Sequence, residues 1–188
     1  ASFNETLRFN ENMTELDNFF SEAGIEKRII KGINLGFSYR FINKRELDQS
    51  YSSRHRYFLD LSFKNKISDF AFSYRTRLQS QLNHYFLPSE KVYGNTPQNY
   101  WRNKVSIKYS PAKKYNPFLS AEIWHPFSYA KGILIDNLRC SAGVQYEPDK
   151  KNSIEASYIF QKQLLQKNPE SDYIFSINYT FAFWNSLP

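Results

Sequence analysis

The chain has 188 residues, with only 6 Gly and 8 Pro and a formal charge of +7, which suits one domain and excludes a low-complexity chain. Its one cysteine, Cys140, excludes an intrachain disulfide and a Cys-based zinc site, and no run of about 18 apolar residues is present to form a transmembrane helix. Aromatic residues make up 18% of the chain, with 14 Tyr and 17 Phe, and these types favour strands.

Period-2 alternation recurs from end to end and predicts about ten strands, at 2–10, 18–29, 33–42, 53–64, 68–82, 100–110, 117–125, 133–147, 153–165 and 172–183. Several exceed the usual length of strands in soluble sheets. They match the roughly 9–11 residues that a tilted strand needs to cross a membrane. Every second connection is short: Ile30-Lys31-Gly32, Lys64-Asn65-Lys66, Pro111 to Asn116, and Pro148 to Asn152. The others, at 11–17, 43–52, 83–99, 126–132 and 166–171, are longer. Tight turns at one end and longer loops at the other characterise an up-and-down transmembrane barrel. The expected fold is therefore all-β, an antiparallel up-and-down transmembrane β-barrel over residues 1–188 as a single domain, with both termini periplasmic. The opening Ala1-Ser2-Phe3 is expected to follow removal of a secretory signal.

Strand 68–82 sorts its side chains most clearly. Phe70, Phe72, Tyr74 and Leu78 share one face; Asp69, Ser73, Arg75, Arg77, Gln79 and Gln81 share the other. Strand 100–110 sets Trp101, Val105, Ile107 and Tyr109 against Arg102, Lys104, Ser106 and Lys108. Alternation alone does not orient such a sheet, since a soluble ligand-binding barrel turns its apolar face inward. The charges argue for the inverted arrangement. Strand-interior cations are mostly Arg, which suits partly buried, multiply hydrogen-bonded pairs, whereas Lys gathers near the turns. Acidic residues Glu22, Glu26, Asp60, Glu122 and Glu155 share the Arg face, and aromatics sit near strand ends, as in interfacial girdles.

The main constellation is a lumen charge network of Arg40, Arg54, Arg56, Asp60, Arg75, Arg77, Arg102, Glu122, Arg139 and Glu155. A ten-stranded barrel is only slightly wider than one whose interior side chains nearly fill it. These charges are therefore expected to pair across the lumen, because an unpaired buried charge is costly; the other reading is a narrow pore or an anion-binding pocket. A sharper alternative is a lipid-active enzyme. Ser53 and His55 are two residues apart, share the lipid face and lie near an external loop, and a base within reach could activate the hydroxyl. They are weak catalytic candidates, with Asp48 or Glu46 as the orienting acid. His84 and His125 end other strands, and the spacing gives no reason for three His to converge on a metal. Asn-X-Ser/Thr patterns at Asn4, Asn12 and Asn178 match the glycosylation pattern, which would carry little meaning in a bacterial protein. Tyr85, Phe86, Leu87, Tyr93 and Tyr100 edge the long loop 83–99, which could bind a partner or cover the mouth.

Ser53-Arg54-His55-Arg56-Tyr57, then Ser73-Tyr74-Arg75-Thr76-Arg77-Leu78-Gln79, resembles the signature of a bacterial barrel family, domain of unknown function 2490, found largely in the Bacteroidota. Trp101-Arg102-Asn103-Lys104, Asn116-Pro117-Phe118, Ala121-Glu122-Ile123 and Leu138-Arg139 extend the resemblance over about residues 20–183. It implies a bacterial outer-membrane barrel and brings no activity. One departure is the tail Trp184-Asn185-Ser186-Leu187-Pro188, which follows Phe183 where such barrels often finish on an aromatic. The expected protein is a non-enzymatic outer-membrane barrel, structural or accessory to an outer-membrane assembly, with a lipid-active enzyme or a small passive channel as alternatives. Its expected partners are outer-membrane lipids and other outer-membrane proteins through the external loops. No cofactor or metal is expected. Nor is nucleic acid, because the Lys residues form no continuous stripe.

Overall fold

The computed structural model describes residues 1–10, 15–45, 51–84, 98–111, 114–127, 134–149, 151–164 and 169–181. The tail 184–188 and most of loop 83–99 lie outside them. Ten strands follow in chain order: β1 (Ser2–Asn10), β2 (Glu15–Ile30), β3 (Ile33–Arg45), β4 (Tyr51–Ile67), β5 (Phe70–His84), β6 (Gln98–Tyr109), β7 (Tyr115–Pro126), β8 (Asn137–Tyr146), β9 (Asn152–Gln163) and β10 (Ser171–Phe181). They form one sheet in that same order, each strand hydrogen-bonded to its neighbours in sequence, so the up-and-down antiparallel topology stands. No helix occurs among the described residues.

The period-2 pattern accounts for the strands and for most of their limits. Two limits move. The turn expected at Lys64-Asn65-Lys66 is strand, and the chain reverses at Ser68, where φ is +53°. The strand expected from 133 begins at Asn137. Polar Lys64, Asn65 and Lys66 suggest a turn and the apolar run Ile133-Leu134-Ile135 suggests a strand, whereas hydrogen-bond pairing with the neighbour decides the boundary. Between β2 and β3 the reversal uses Gly32 at φ +82°, a conformation that costs glycine no Cβ clash.

The chain divides into two compact units. Unit 1 comprises Ala1–Leu61, Arg77–Trp101 and Pro126–Ser128; unit 2 comprises Ser62–Thr76, Arg102–His125 and Tyr129–Pro188. In unit 1 the β2–β3 register sets Glu22 opposite Arg40 and Phe20 opposite Ile42. In unit 2 the β7–β8 register sets Glu122 opposite Arg139, and β8–β9 sets Arg139 opposite Gln161.

Burial follows the alternation with the polar face in. Among the described residues, two hydrophobic side chains are buried, Ile42 and Phe58, against thirteen polar or charged ones. Both hydrophobics belong to unit 1; the buried side chains of unit 2 are Ser62, Arg102, Asn116, Ser120, Glu122, Asn137 and Ser157. The apolar face is exposed on strand after strand, from Phe3 and Leu7 on β1 to Tyr173, Phe175, Ile177 and Tyr179 on β10. This is the reverse of a soluble ligand-binding barrel, whose apolar face lines the interior.

Candidate functional site

The polar face of each unit is built from the same three parts: an arginine–carboxylate pair, an arginine fork on a glutamine amide, and an aromatic ring under guanidinium groups. In unit 1, Arg40 Nε donates to Glu22 Oε2 at 2.6 Å. The Arg77 fork meets Asp60 with both arms, Nε to Oδ1 at 2.6 Å and Nη2 to Oδ2 at 2.5 Å. Such bidentate, charge-assisted bonds are about twice as strong as neutral ones. Arg56 places its Nε and Nη2 on Gln81 Oε1. Phe58, at 1% exposure the most buried apolar side chain described, lies beneath two guanidiniums, Arg77 at 4.1 Å and Arg40 at 5.2 Å from its centroid. Arg40 also stacks on Phe20 at 4.1 Å. A cation over an aromatic face gains most when both are withdrawn from water, which is the situation of Arg77 on Phe58.

In unit 2 the same parts are arranged around one carboxylate. Glu122 accepts from Arg75 Nη2 at Oε1 (2.9 Å) and from Arg102 Nη2 at Oε2 (2.7 Å). Arg102 and Glu122 are both buried, their side chains 6% and 4% exposed. Arg139 places Nε and Nη2 on Gln161 Oε1. Trp124 carries two guanidiniums, Arg102 at 4.1 Å and Arg139 at 5.1 Å. The pairs in both units join strands that are neighbours or next neighbours in the sheet.

The structure thus brings together Arg40, Arg56, Asp60 and Arg77 in unit 1, and Arg75, Arg102, Glu122 and Arg139 in unit 2. Arg54 is half-buried on the same face of β4. Glu155 accepts from Asn178 Nδ2 at 3.5 Å. The sequence reading left Lys104, Gln81, Gln161, Phe58, Phe20 and Trp124 out of the network. Lys104 and Gln81 share parity with Arg102 and Arg77, as Phe58 does with Arg56 and Asp60, Phe20 with Glu22 and Trp124 with Glu122; parity is the available signal, and it does not say that a ring on the polar face sits under guanidiniums.

On the outward face, polar side chains pair with one another. Tyr39 Oη lies 2.7 Å from His55 Nδ1, and Ser53 Oγ donates to Asn43 Oδ1 at 3.3 Å. Tyr74 Oη donates to Asn103 Oδ1 and Tyr179 Oη to Asn152 Oδ1, each at 2.6 Å. Ser21 Oγ bonds both oxygens of Glu5. Ser53 and His55 therefore share a face, as the alternation requires, and each is engaged by a side chain of β3. Asp48 and Glu46 lie outside the described residues, as does the side chain of His84. Among the described residues no cluster of His, Cys, Asp and Glu is placed to hold a metal ion.

The arrangement defines a class: an all-β, up-and-down antiparallel sheet whose buried face is ionic and whose exposed face is apolar. Within that class, the family model described as "Protein of unknown function (DUF2490)" matches residues 1–172, and the chain belongs to that family. No curated protein and no solved structure gives a significant match.

Proposed function

We propose that this chain is a bacterial outer-membrane β-barrel protein that acts without catalysis, as a structural or accessory component of an outer-membrane assembly. The observation that carries the reading is the inverted burial: among the described residues, two buried hydrophobic side chains against thirteen buried polar ones, with rows of Phe, Tyr, Leu and Ile exposed. Soluble monomers rarely expose contiguous apolar patches beyond a few hundred Å². On β10 alone, Tyr173, Phe175, Ile177 and Tyr179 are each about two-thirds exposed and share one face. A lipid phase removes that cost. It also demands that polar groups facing it be satisfied within the protein, which is what the Tyr74–Asn103, Tyr179–Asn152 and Ser53–Asn43 bonds do.

In this reading the ten strands cross the outer membrane, the short turns and both termini face the periplasm, and the longer loops face outward to lipids and partner proteins. The engagement of Ser53 by Asn43 and of His55 by Tyr39 favours packing roles for both over catalysis. Fractionation of Gram-negative cells expressing the chain tests the proposal. The protein should partition with the outer membrane and migrate differently in gels before and after boiling. Recovery as a soluble monomer from the cytosol would overturn it.

A further inference from the structure

The polar face of unit 2 holds more cations than its carboxylates can match at one place. Ser73 Oγ and Ser106 Oγ meet at 2.6 Å, and Ser110 N donates to Asp69 O at 2.6 Å. Counting along the two strands from these pairs sets Lys104 on β6 opposite Arg75 on β5. Ser110 Oγ donates to Asn116 Oδ1 at 2.8 Å, and six residues further along each strand Lys104 faces Glu122 on β7. Glu122 faces Arg139 on β8. Arg75, Lys104, Glu122 and Arg139 thus occupy successive strands in one row, with Arg102 beside it on Glu122.

Four cations surround a single carboxylate there, and both its oxygens are occupied, one by Arg75 and one by Arg102. Lys104 is half-buried and makes no hydrogen bond or ion pair among the described residues; the charges acting on it are Arg75, Arg139, Glu122 and Glu155. Arg75 Nε is buried and has no acceptor among the described residues. Like charges directly opposite in a sheet are destabilising, and Glu122, already paired with two arginines, and Glu155 act on Lys104 without an ion pair to it. Arg75 Nε, buried without an acceptor, and the half-exposed ammonium of Lys104 on the facing strand lie in a net positive patch open to an acceptor that the described side chains do not supply.

We propose that the Arg75–Lys104–Arg139 row is a binding site for a small multivalent oxyanion of the inorganic phosphate or phosphomonoester class. Such an anion brings close to two negative charges and three strong acceptor oxygens. It can take the ammonium of Lys104 as a point charge and the free edge of Arg75 through directed N–H bonds. Water offers acceptors without charge, and chloride offers one charge without directed geometry. The ligand is a soluble anion: the row lies on the polar face of β5 to β8, whereas acyl chains need the opposite face. The site does not depend on the membrane reading, since the same face would hold the same anion in a soluble chain.

Calorimetric titration of the full chain in neutral-detergent micelles tests the site, with sodium phosphate compared against sodium chloride at matched ionic strength. Saturable binding of one phosphate per chain is expected. Lys104→Gln should weaken it at least about tenfold, the scale of one lost bond to a charged group, and Arg139→Gln should weaken it as well. Lys27→Gln, on the outward face of β2, should leave it unchanged. Folding of each variant is checked by its gel shift on boiling; if Lys104→Gln does not fold, Arg139→Gln carries the test. The site is refuted if phosphate gives no saturable heat beyond chloride, or if folded variants of the row bind phosphate as tightly as the parent chain.

Discussion

Units 1 and 2 use the same side-chain kit to opposite ends. In unit 1 the carboxylates are shared out singly, Glu22 to Arg40 and Asp60 to Arg77, and an apolar ring, Phe58, fills the space between the two guanidiniums. In unit 2 one carboxylate serves Arg75 and Arg102 together, and no buried hydrophobic side chain is described there. The difference teaches that a polar interior can be closed in two ways. One is to match each charge and fill the remainder with apolar surface. The other concentrates charge on a single acceptor and leaves positive potential over, and this second arrangement can take a ligand.

The largest expected effect tests that asymmetry directly. Glu122→Gln leaves Arg75 and Arg102 without their shared counter-charge, in a buried site. Losing one partner of a buried ion pair costs about 3–5 kcal/mol, read as a fall in the urea midpoint of the chain folded in lipid vesicles. Asp60→Asn in unit 1 removes the partner of Arg77 alone, and Asp60 is 20% exposed, so solvent takes up part of the loss. The expected cost is about 1–2 kcal/mol. Adding Lys104→Gln to Glu122→Gln should restore part of the lost stability, because it removes one of the cations left in excess. Equal losses for the two carboxylate variants would break the comparison.

Much of this was legible in the sequence, and for a specific reason. A strand's period of 2 fixes its faces without reference to any other strand, so the membership of Arg75, Arg77, Arg102 and Lys104 in one face needed no structure. Which residue meets which depends on register between strands, and no single strand's pattern encodes that. Hence the forks of Arg56 on Gln81 and Arg139 on Gln161 could not be read, nor could the two-to-one sharing of Glu122. The turn at Ser68 was misplaced because Lys64 and Lys66 are polar. A strand that overhangs its sheet-mates' apolar band carries charge without reversing.

A smaller effect separates the two units by packing. Gly143 on β8 pairs with Phe118 on β7, and a Cβ there would meet Ala156 O at 2.5 Å and the Phe118 ring at 2.8 Å. One contact is backbone, so the sheet must shift. Gly143→Ala should cost about 1–3 kcal/mol, the range for overpacking. In unit 1, a Cβ on Gly36 meets Asp60 Cβ and Ile25 O at 3.6 Å, ordinary contact. Gly36→Ala should stay within about 0.5 kcal/mol of the parent chain. Urea midpoints of the two variants check the pair, and a costly Gly36→Ala would show that Gly36 is packed as tightly as Gly143.

The smallest effect lies in the turns. Unit 1 reverses between β2 and β3 on Gly32, whose positive φ carries no charge and answers to no pH. Unit 2 reverses between β8 and β9 on Asp149, whose carboxylate accepts from Asn152 Nδ2 at 2.8 Å, Lys151 N at 2.7 Å and Asn152 N at 2.9 Å. The bond from the Asn152 side chain, then those from the Lys151 and Asn152 backbones, hold the carboxyl below the ordinary aspartate value of 3.8. A depressed folded-state value means that the carboxylate's contribution is present above the unfolded value and lost as pH falls through the folded one. Acid should therefore loosen the β8–β9 turn and leave the β2–β3 turn unchanged. Amide exchange at Asn152 compared with Gly32, followed from pH 6 downward by NMR in micelles, reads this directly. A midpoint at or above 3.8 for the Asp149 carboxyl, or equal acid response at both turns, would show that Asp149 is a passive surface residue and that the two reversals are held alike.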